Sequence, residues 1–302
     1  MRVLFLPSGD RQWAGARFRA WNIAAAWPEA DCVRWAGTPP ANILEHDAII
    51  LQKLYDRYNL GNQMAVLNLA GQLRLAGKKV IWDLCDPIWW WNEPEWIKEM
   101  ATFCNAITVS CEGLAEDFHR SFGLTPTVIP DRMPFVQEWK TSWEAKEPKL
   151  VWFGYSMNRG PSLGGIGLIL SRLMYERIPF RLRIIDDHPE IEPWQLDRLW
   201  SDKIECTKWE EASIHERLME CDIALLPPMP GPWAKMKSTN KQITAFWAGL
   251  PVHDGEDYYS LRDLLRHPTK RQAEGGKNRA VAEGSYDLRL SVKQWQELLI
   301  TL

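Results

Sequence analysis

Short apolar runs alternate with longer stretches of helical periodicity along the whole chain. In the first half, RVLFLP (Arg2–Pro7), DAIILQ (Asp47–Gln52), KVIWDL (Lys79–Leu84) and AITVS (Ala106–Ser110) have the length and apolar texture of strands. Periodic stretches such as Leu60–Ala76 and Cys111–Phe122 lie between them and predict helices. The second half repeats the rhythm with KLVWFG (Lys149–Gly154), RLRIID (Arg181–Asp186) and DIALLPP (Asp222–Pro228). Strands that are apolar throughout, alternating with helices, imply parallel sheets covered on both faces.

Pro134–Lys149 breaks the rhythm: it is polar, rich in Glu and Lys, and closed by Pro148 before a new strand. An interdomain linker is expected there. It would divide the chain into domains 1–138 and 139–302, with the last helix free to pack back on the first. Two doubly wound domains would turn the carboxyl ends of their strands toward a shared cleft. The length of 302 residues is compatible with two domains. A net charge of -3 leaves no global basic field, so a nucleic-acid partner would need a local patch. Six scattered cysteines without a CxxC pair read as reduced thiols of a cytoplasmic protein. The opening strand lacks signal-peptide architecture, and no apolar run reaches the length of a membrane span.

The densest chemistry lies in MKSTNKQITAFWAGLPVH (Met236–His253). Thr239 and Gln242 have capping-box spacing, which starts a helix there, and Gly249 followed by Pro251 ends it. Ile243, Phe246 and Trp247 form its buried stripe, while Asn240, Lys241 and Thr244 share the other side. Lys237 and Lys241 then stand at a helix N-terminus, after a parallel strand. Two cations there oppose the macrodipole unless an anion lies between them. Either they are solvated surface charges, or Lys237, Ser238, Thr239, Asn240 and Lys241 cradle a diphosphate. GGIG (Gly164–Gly167) sits within a helical pattern and reads as packing or helix-start glycine.

The first half offers two further stretches. SGDRQWAGARFRAW (Ser8–Trp21) is a glycine-containing loop entering a helix, and Arg11, Trp13, Arg17 and Arg19 would make a basic, aromatic rim that holds an anionic acceptor or touches the donor diphosphate from across the cleft. DLCDPIWWWNEPEW (Asp83–Trp96) puts Asp86 just past a strand, where a catalytic or acceptor-orienting carboxylate would sit. Trp89, Trp90 and Trp91 cannot all face one core, so Trp89 and Trp90 are candidates for an acceptor surface, against plain packing.

KSTNKQITAFWAGLPV resembles a segment of GT-B glycosyltransferases of the family-4-like group (glycosyl transferases group 1). That segment reads Lys-Ser-x-Asn-Lys, an acidic helix position, then Ala-x-Ala-x-Gly-x-Pro-Val. In the same order, Ile107–Pro134 resembles the end of that group's first domain, and Leu150–Gly160 resembles its donor-domain strand and glycine loop. VIWDLCDPIW (Val80–Trp89) is similar to an Asp-x-x-Asp segment seen in part of the group. The resemblance implies α/β GT-B architecture, with two Rossmann-like domains facing a central cleft. It places the donor phosphates against Gly154, Tyr155, Ser156, Asn158 and Arg159, and the base near Lys208 and Trp209. One departure stands out: Thr244 occupies the place of a glutamate that holds the ribose. His188 is a weaker candidate near the same end of the domain.

The function expected from this resemblance is transfer of a sugar from a nucleoside-diphosphate donor to an acceptor hydroxyl, with retention. Lys241 and Arg159 would stabilise the leaving diphosphate, and Asp86 would serve the acceptor. No metal or other cofactor is expected, because Asp83 and Asp86 lack further ligands at a convincing spacing. Two alternatives stay open. One is a glycosyltransferase of hydroxymethyl-pyrimidine DNA; the other is a non-catalytic nucleotide-sugar-binding protein of the same fold. The acceptor is open: a glycan, a small molecule or modified DNA.

Overall fold

The apolar runs become parallel strands in the computed structural model, which describes residues 1–54, 60–189 and 202–302. A six-stranded sheet holds β1 (Val3–Pro7), β2 (Ala30–Cys32), β3 (Ala48–Gln52), β4 (Lys79–Leu84), β5 (Ala106–Val109) and β6 (Thr127–Val128). Its order is β2-β1-β3-β4-β5-β6, and every pairing is parallel. A five-stranded sheet holds β7 (Lys149–Phe153), β8 (Arg181–Asp186), β9 (Ile204–Lys208), β10 (Ile223–Leu225) and β11 (Val252–His253). Its order is β11-β10-β7-β8-β9, again all parallel.

Apolar side chains cover both faces of each sheet, as continuous strand hydrophobicity requires. Leu4, Leu6, Ile49 and Leu51 face one layer of the first sheet, and Val3, Phe5, Ala48 and Ile50 face the other. The last helix, Leu288–Thr301, closes that second layer, with Trp295 set edge-on to Phe5 at 5.7 Å.

Elements missed by periodicity are short or lie at an edge. β2, β6 and β11 span two or three residues, too few to show a pattern. β9 is an edge strand of mixed exposure, and Glu205–Lys208, within ECTKWEE, is part of it. A short helix, Trp233–Met236, precedes the lysine-rich segment.

The chain forms two compact units. The first comprises Met1–Pro134, Lys235–Asn240 and Asp287–Leu302; the second comprises Phe135–Ala234 and Lys241–Tyr286. The division therefore falls after Pro134 rather than after residue 138, and the first unit takes in two later segments. The polar stretch expected as a linker is not simply solvated. Lys140 is buried, with its ammonium 3.3 Å from Asp222 and 5.3 Å from the centre of the Trp143 ring.

The helix Asn240–Trp247 starts one residue after Thr239 and buries Ile243, Phe246 and Trp247. It ends in a Schellman motif: Gly249 N–H donates to Phe246 and Leu250 N–H to Ala245, with Gly249 at φ +72°. A side chain at Gly249 would be strained by that angle and would meet Trp139 at 2.6 Å. Among the described residues, no helix is long and apolar enough to cross a membrane.

Candidate active site

Each sheet has a topological switch point, where consecutive crossovers leave in opposite directions. In the first sheet it lies between β1 and β3; in the second, between β7 and β10. The carboxyl ends of strands at such points form crevices suited to ligands.

At the first switch point Lys53 follows β3 with φ +50°, a left-handed conformation that costs a residue with a Cβ roughly 1–2 kcal/mol. Its ammonium binds Asp86, which also accepts from Lys237 Nζ at 2.8 Å. Asp86 is mostly buried. Burial would raise its carboxyl, but Lys53 and Lys237 outweigh that and hold it below its ordinary value. The neighbours of Lys237 belong to the same unit: Met236 packs in the first unit's core, and Ser238 bonds to the buried Asp131. In this structure, then, Lys237 and Ser238 engage carboxylates of the first unit. Lys237, expected either as a surface charge or in a diphosphate cradle, is ion-paired to Asp86 here.

That pair supports a quantitative test. Lys237 is about one-third exposed, so its contact with Asp86 is expected to contribute about 1 kcal/mol, the upper end for such pairs. A double-mutant cycle of Asp86→Asn and Lys237→Ala in urea denaturation should show that coupling. Effects that simply add, to within about 0.3 kcal/mol, would mean the pair is not held in solution.

The arginine loop is arranged differently from the expected rim. Arg19 is fully buried: Nε donates to Asp83 Oδ2 at 3.0 Å, Nη2 binds Asp83 Oδ1, and Nη1 lies 3.2 Å from Asp131. Thr108 donates to the same Asp83 at 2.7 Å. Arg17 donates to the carbonyls of Arg11 (2.8 Å) and Gln12 (3.2 Å), and Arg11 reaches Asn22 at 3.2 Å. These arginines tie the loop to its own helix. Of the expected rim, Arg11 and Trp13 are exposed.

The three tryptophans divide by environment. Trp89 is buried edge-on to Phe118 at 5.0 Å, which corrects its assignment to an acceptor surface. Trp91 is partly buried against the same core, and Trp90 is exposed. Trp89 and Trp90 both donate from Nε1 to Asp117 Oδ2 at 2.7 Å, so one carboxylate fixes both rings.

At the second switch point Gly154 follows β7 at φ +154°, an angle that L side chains rarely adopt. The Lys241 side chain lies against it, with Nζ 5.1 Å from the centre of the buried Trp152 ring. Tyr155 precedes a helix, Ser156–Leu163, where a glycine loop was expected through Arg159. The Ser156 N–H donates to Asp187 at 2.7 Å, so a carboxylate of the protein takes the amide assigned to donor phosphate. Arg159 is buried and donates to Asp186 at 2.8 Å. Burial pushes the Asp186 carboxyl up against the pull of Arg159.

Thr244 is buried within its helix, whereas Thr239 is exposed and Asn240 half-buried. Lys208 is exposed at the end of β9, with its carbonyl bonded to Arg217. Trp209, expected near the base, is half-buried and packs partly against the core around Val151 and Phe153. His188 is exposed, 3.9 Å from Asp187.

Lys53, Asp117, Asp131 and Asp186 were not anticipated. Lys53 and Asp186 were within reach of the rule applied to Asp86, since each stands at the carboxyl end of a parallel strand. Among the described residues no group of three or more His, Cys, Asp or Glu is placed to hold a metal ion.

No protein-family model matches the chain, and no curated protein matches it. Solved structures do. HepE from Anabaena, in complex with UDP, is 16% identical, with 100% of both chains covered and a TM-score of 0.72. An α-glucosyltransferase in complex with UDP and a 13-mer DNA is 10% identical, covering 99% of this chain and 100% of that one, with a TM-score of 0.68. WaaG, a glycosyltransferase involved in lipopolysaccharide biosynthesis, is 14% identical, covering 98% and 99%, with a TM-score of 0.61. At such identities the likeness is one of fold: this chain has the α/β GT-B fold, built from two Rossmann-like units.

Proposed function

We propose that this chain is a glycosyltransferase that moves a sugar from a nucleoside-diphosphate donor to an acceptor hydroxyl, with retention of configuration. The observation that carries the reading is Lys241 laid against Gly154 at the second sheet's switch point. An ammonium group, a backbone that approaches without a side chain and the N-terminus of Asn240–Trp247 together suit a leaving diphosphate. UDP in HepE and in the α-glucosyltransferase supports uridine diphosphate as the leaving group. Arg159 serves this site at one remove, since its partner is Asp186. Asp86 serves the acceptor, held ionised between Lys53 and Lys237.

Modified DNA is a second acceptor reading, supported by the α-glucosyltransferase solved with DNA. The net charge of -3 weighs against it. A salt-dependent mobility shift with hydroxymethylated duplex DNA would favour it over a glycan acceptor.

Release of nucleoside diphosphate from a panel of UDP-, GDP- and ADP-sugars tests the main reading, and EDTA tests its chemistry. Turnover should be detected with at least one donor and should survive chelation, because lysine and helix N–H groups carry the leaving-group charge. Donor binding without any release would favour the non-catalytic alternative that Thr244 raises. Loss of turnover in EDTA with recovery on adding Mg²⁺ or Mn²⁺ would end the metal-independent mechanism.

A further inference from the structure

We propose that the second unit carries a separate binding site for a neutral, hydroxyl-rich ligand of the sugar class. It is a cavity of about 490 Å³ bounded by Asn240–Trp247, β11, and the helices Tyr258–Arg266 and Pro268–Ser285. Neither Lys241 nor Gly154 lines it. Its size falls within the range of small-molecule sites, about 300–1,000 Å³.

The lining selects the ligand class. Phe246 and Leu264, each only 9% exposed, form an apolar floor whose edge the C–H face of a sugar ring can touch. Around them stand planar polar groups with unused capacity. Asn278 Nδ2 donates to the Leu250 carbonyl at 2.8 Å, leaving Oδ1 to accept. Glu274 Oε1 accepts from Lys277 at 2.8 Å, leaving Oε2. The Gln242 amide and the Ser260 hydroxyl add donors and acceptors at the wall. His253 Nδ1 accepts the Gly255 N–H at 2.9 Å, so the neutral ring carries its proton on Nε2. Burial holds that imidazole below its ordinary value, which keeps it neutral near pH 7.

Charge decides against the other polar ligands. Lys270 is spent on Asp263, whose second oxygen faces His267 at 3.2 Å. Lys277 likewise pairs with Glu274, so the lining carries no excess charge, and a phosphate or nucleotide finds no free cation to bind there among the described residues. The alternating donors and acceptors suit hydroxyl groups, each of which both gives and takes a hydrogen bond. This assignment rests on the cavity's own lining and is independent of the proposed transfer reaction.

The test is calorimetric titration of the full chain with maltotriose, cellotriose and chitotriose in saturating UDP, which removes the proposed donor site from competition. At least one trisaccharide should bind with Kd below about 1 mM. Glu274→Ala should weaken it about 10-fold, the scale of a hydrogen bond to a charged group. Ser260→Trp, which fills the cavity from an exposed helix position, should abolish it. If Ser260→Trp does not fold, Glu274→Ala combined with Gln242→Ala carries the test. The proposal is overturned if no trisaccharide binds, or if binding is unchanged in the folded variants. Spermidine binding that is lost in Glu274→Ala, with no trisaccharide bound, would also overturn it, because the site would then select cations.

Discussion

Lys241→Ala is expected to lower sugar-transfer turnover by at least about 100-fold, or about 2.7 kcal/mol of transition-state stabilisation. The charge on a leaving diphosphate grows as the glycosidic bond breaks, so a fixed ammonium contributes most at that moment. Its position is defined on two sides. Gly154 lets the side chain lie close to the backbone after β7, and the Trp152 ring sits beneath Nζ at 5.1 Å. The substitution should leave the fold intact, because the buried stripe of the helix is Ile243, Phe246 and Trp247 and alanine is a strong helix former. Lys241→Arg should recover only part of the rate, since a planar fork does not reproduce a compact point charge. Nucleoside-diphosphate release at saturating donor, beside circular dichroism of each variant, is the measurement. Wild-type-like turnover in a folded Lys241→Ala protein would sink the diphosphate assignment.

The sheets were legible because nothing competes with the signal in a strand buried on both faces. RVLFLP, DAIILQ and KVIWDL are apolar through their length, and each becomes a central parallel strand. The end of the lysine-rich helix was legible for another reason: Gly249 is a local device that acts within a few residues. The pairing of charges was not legible. Asp86 could be put at the end of β4 from its position, but its partners come from residue 53 and residue 237, and no local pattern connects them. Arg159 is similar. It falls in a polar stretch that looks solvated, and only the three-dimensional position of Asp186 shows that it is buried and paired. Trp89 and Trp90 are adjacent and chemically identical, and yet they differ in burial because a short 3-10 turn, Ile88–Trp90, directs one into the core and one outward.

The arginine loop shows how a local irregularity defeats a periodic reading, and it leads to the largest expected effect on stability. Arg17–Trp21 is a π-helical turn between the α-helical pieces Ala14–Ala16 and Asn22–Ala25. Its wider turn shifts the residues off the 3.6-residue spacing, so Arg19 points inward where regular spacing allowed a surface position. There it meets Asp83 and Asp131, both buried. Burial pushes the Asp131 carboxyl up against the pull of Arg19 and Ser238, so removing the arginine removes the larger part of what favours its charged form. Arg19→Met is therefore expected to cost about 3–5 kcal/mol, the scale of breaking a buried ion pair from one side. Arg19→Lys should also be costly, because one ammonium cannot replace a fork that donates from Nε and both Nη groups. Adding Asp83→Leu to Arg19→Met should recover part of the loss, since it removes one of the stranded carboxylates. Urea denaturation, followed by the fluorescence of the buried tryptophans, would read all three variants. A loss below about 1 kcal/mol in Arg19→Met would show that the network contributes little and that the π turn is held by packing alone.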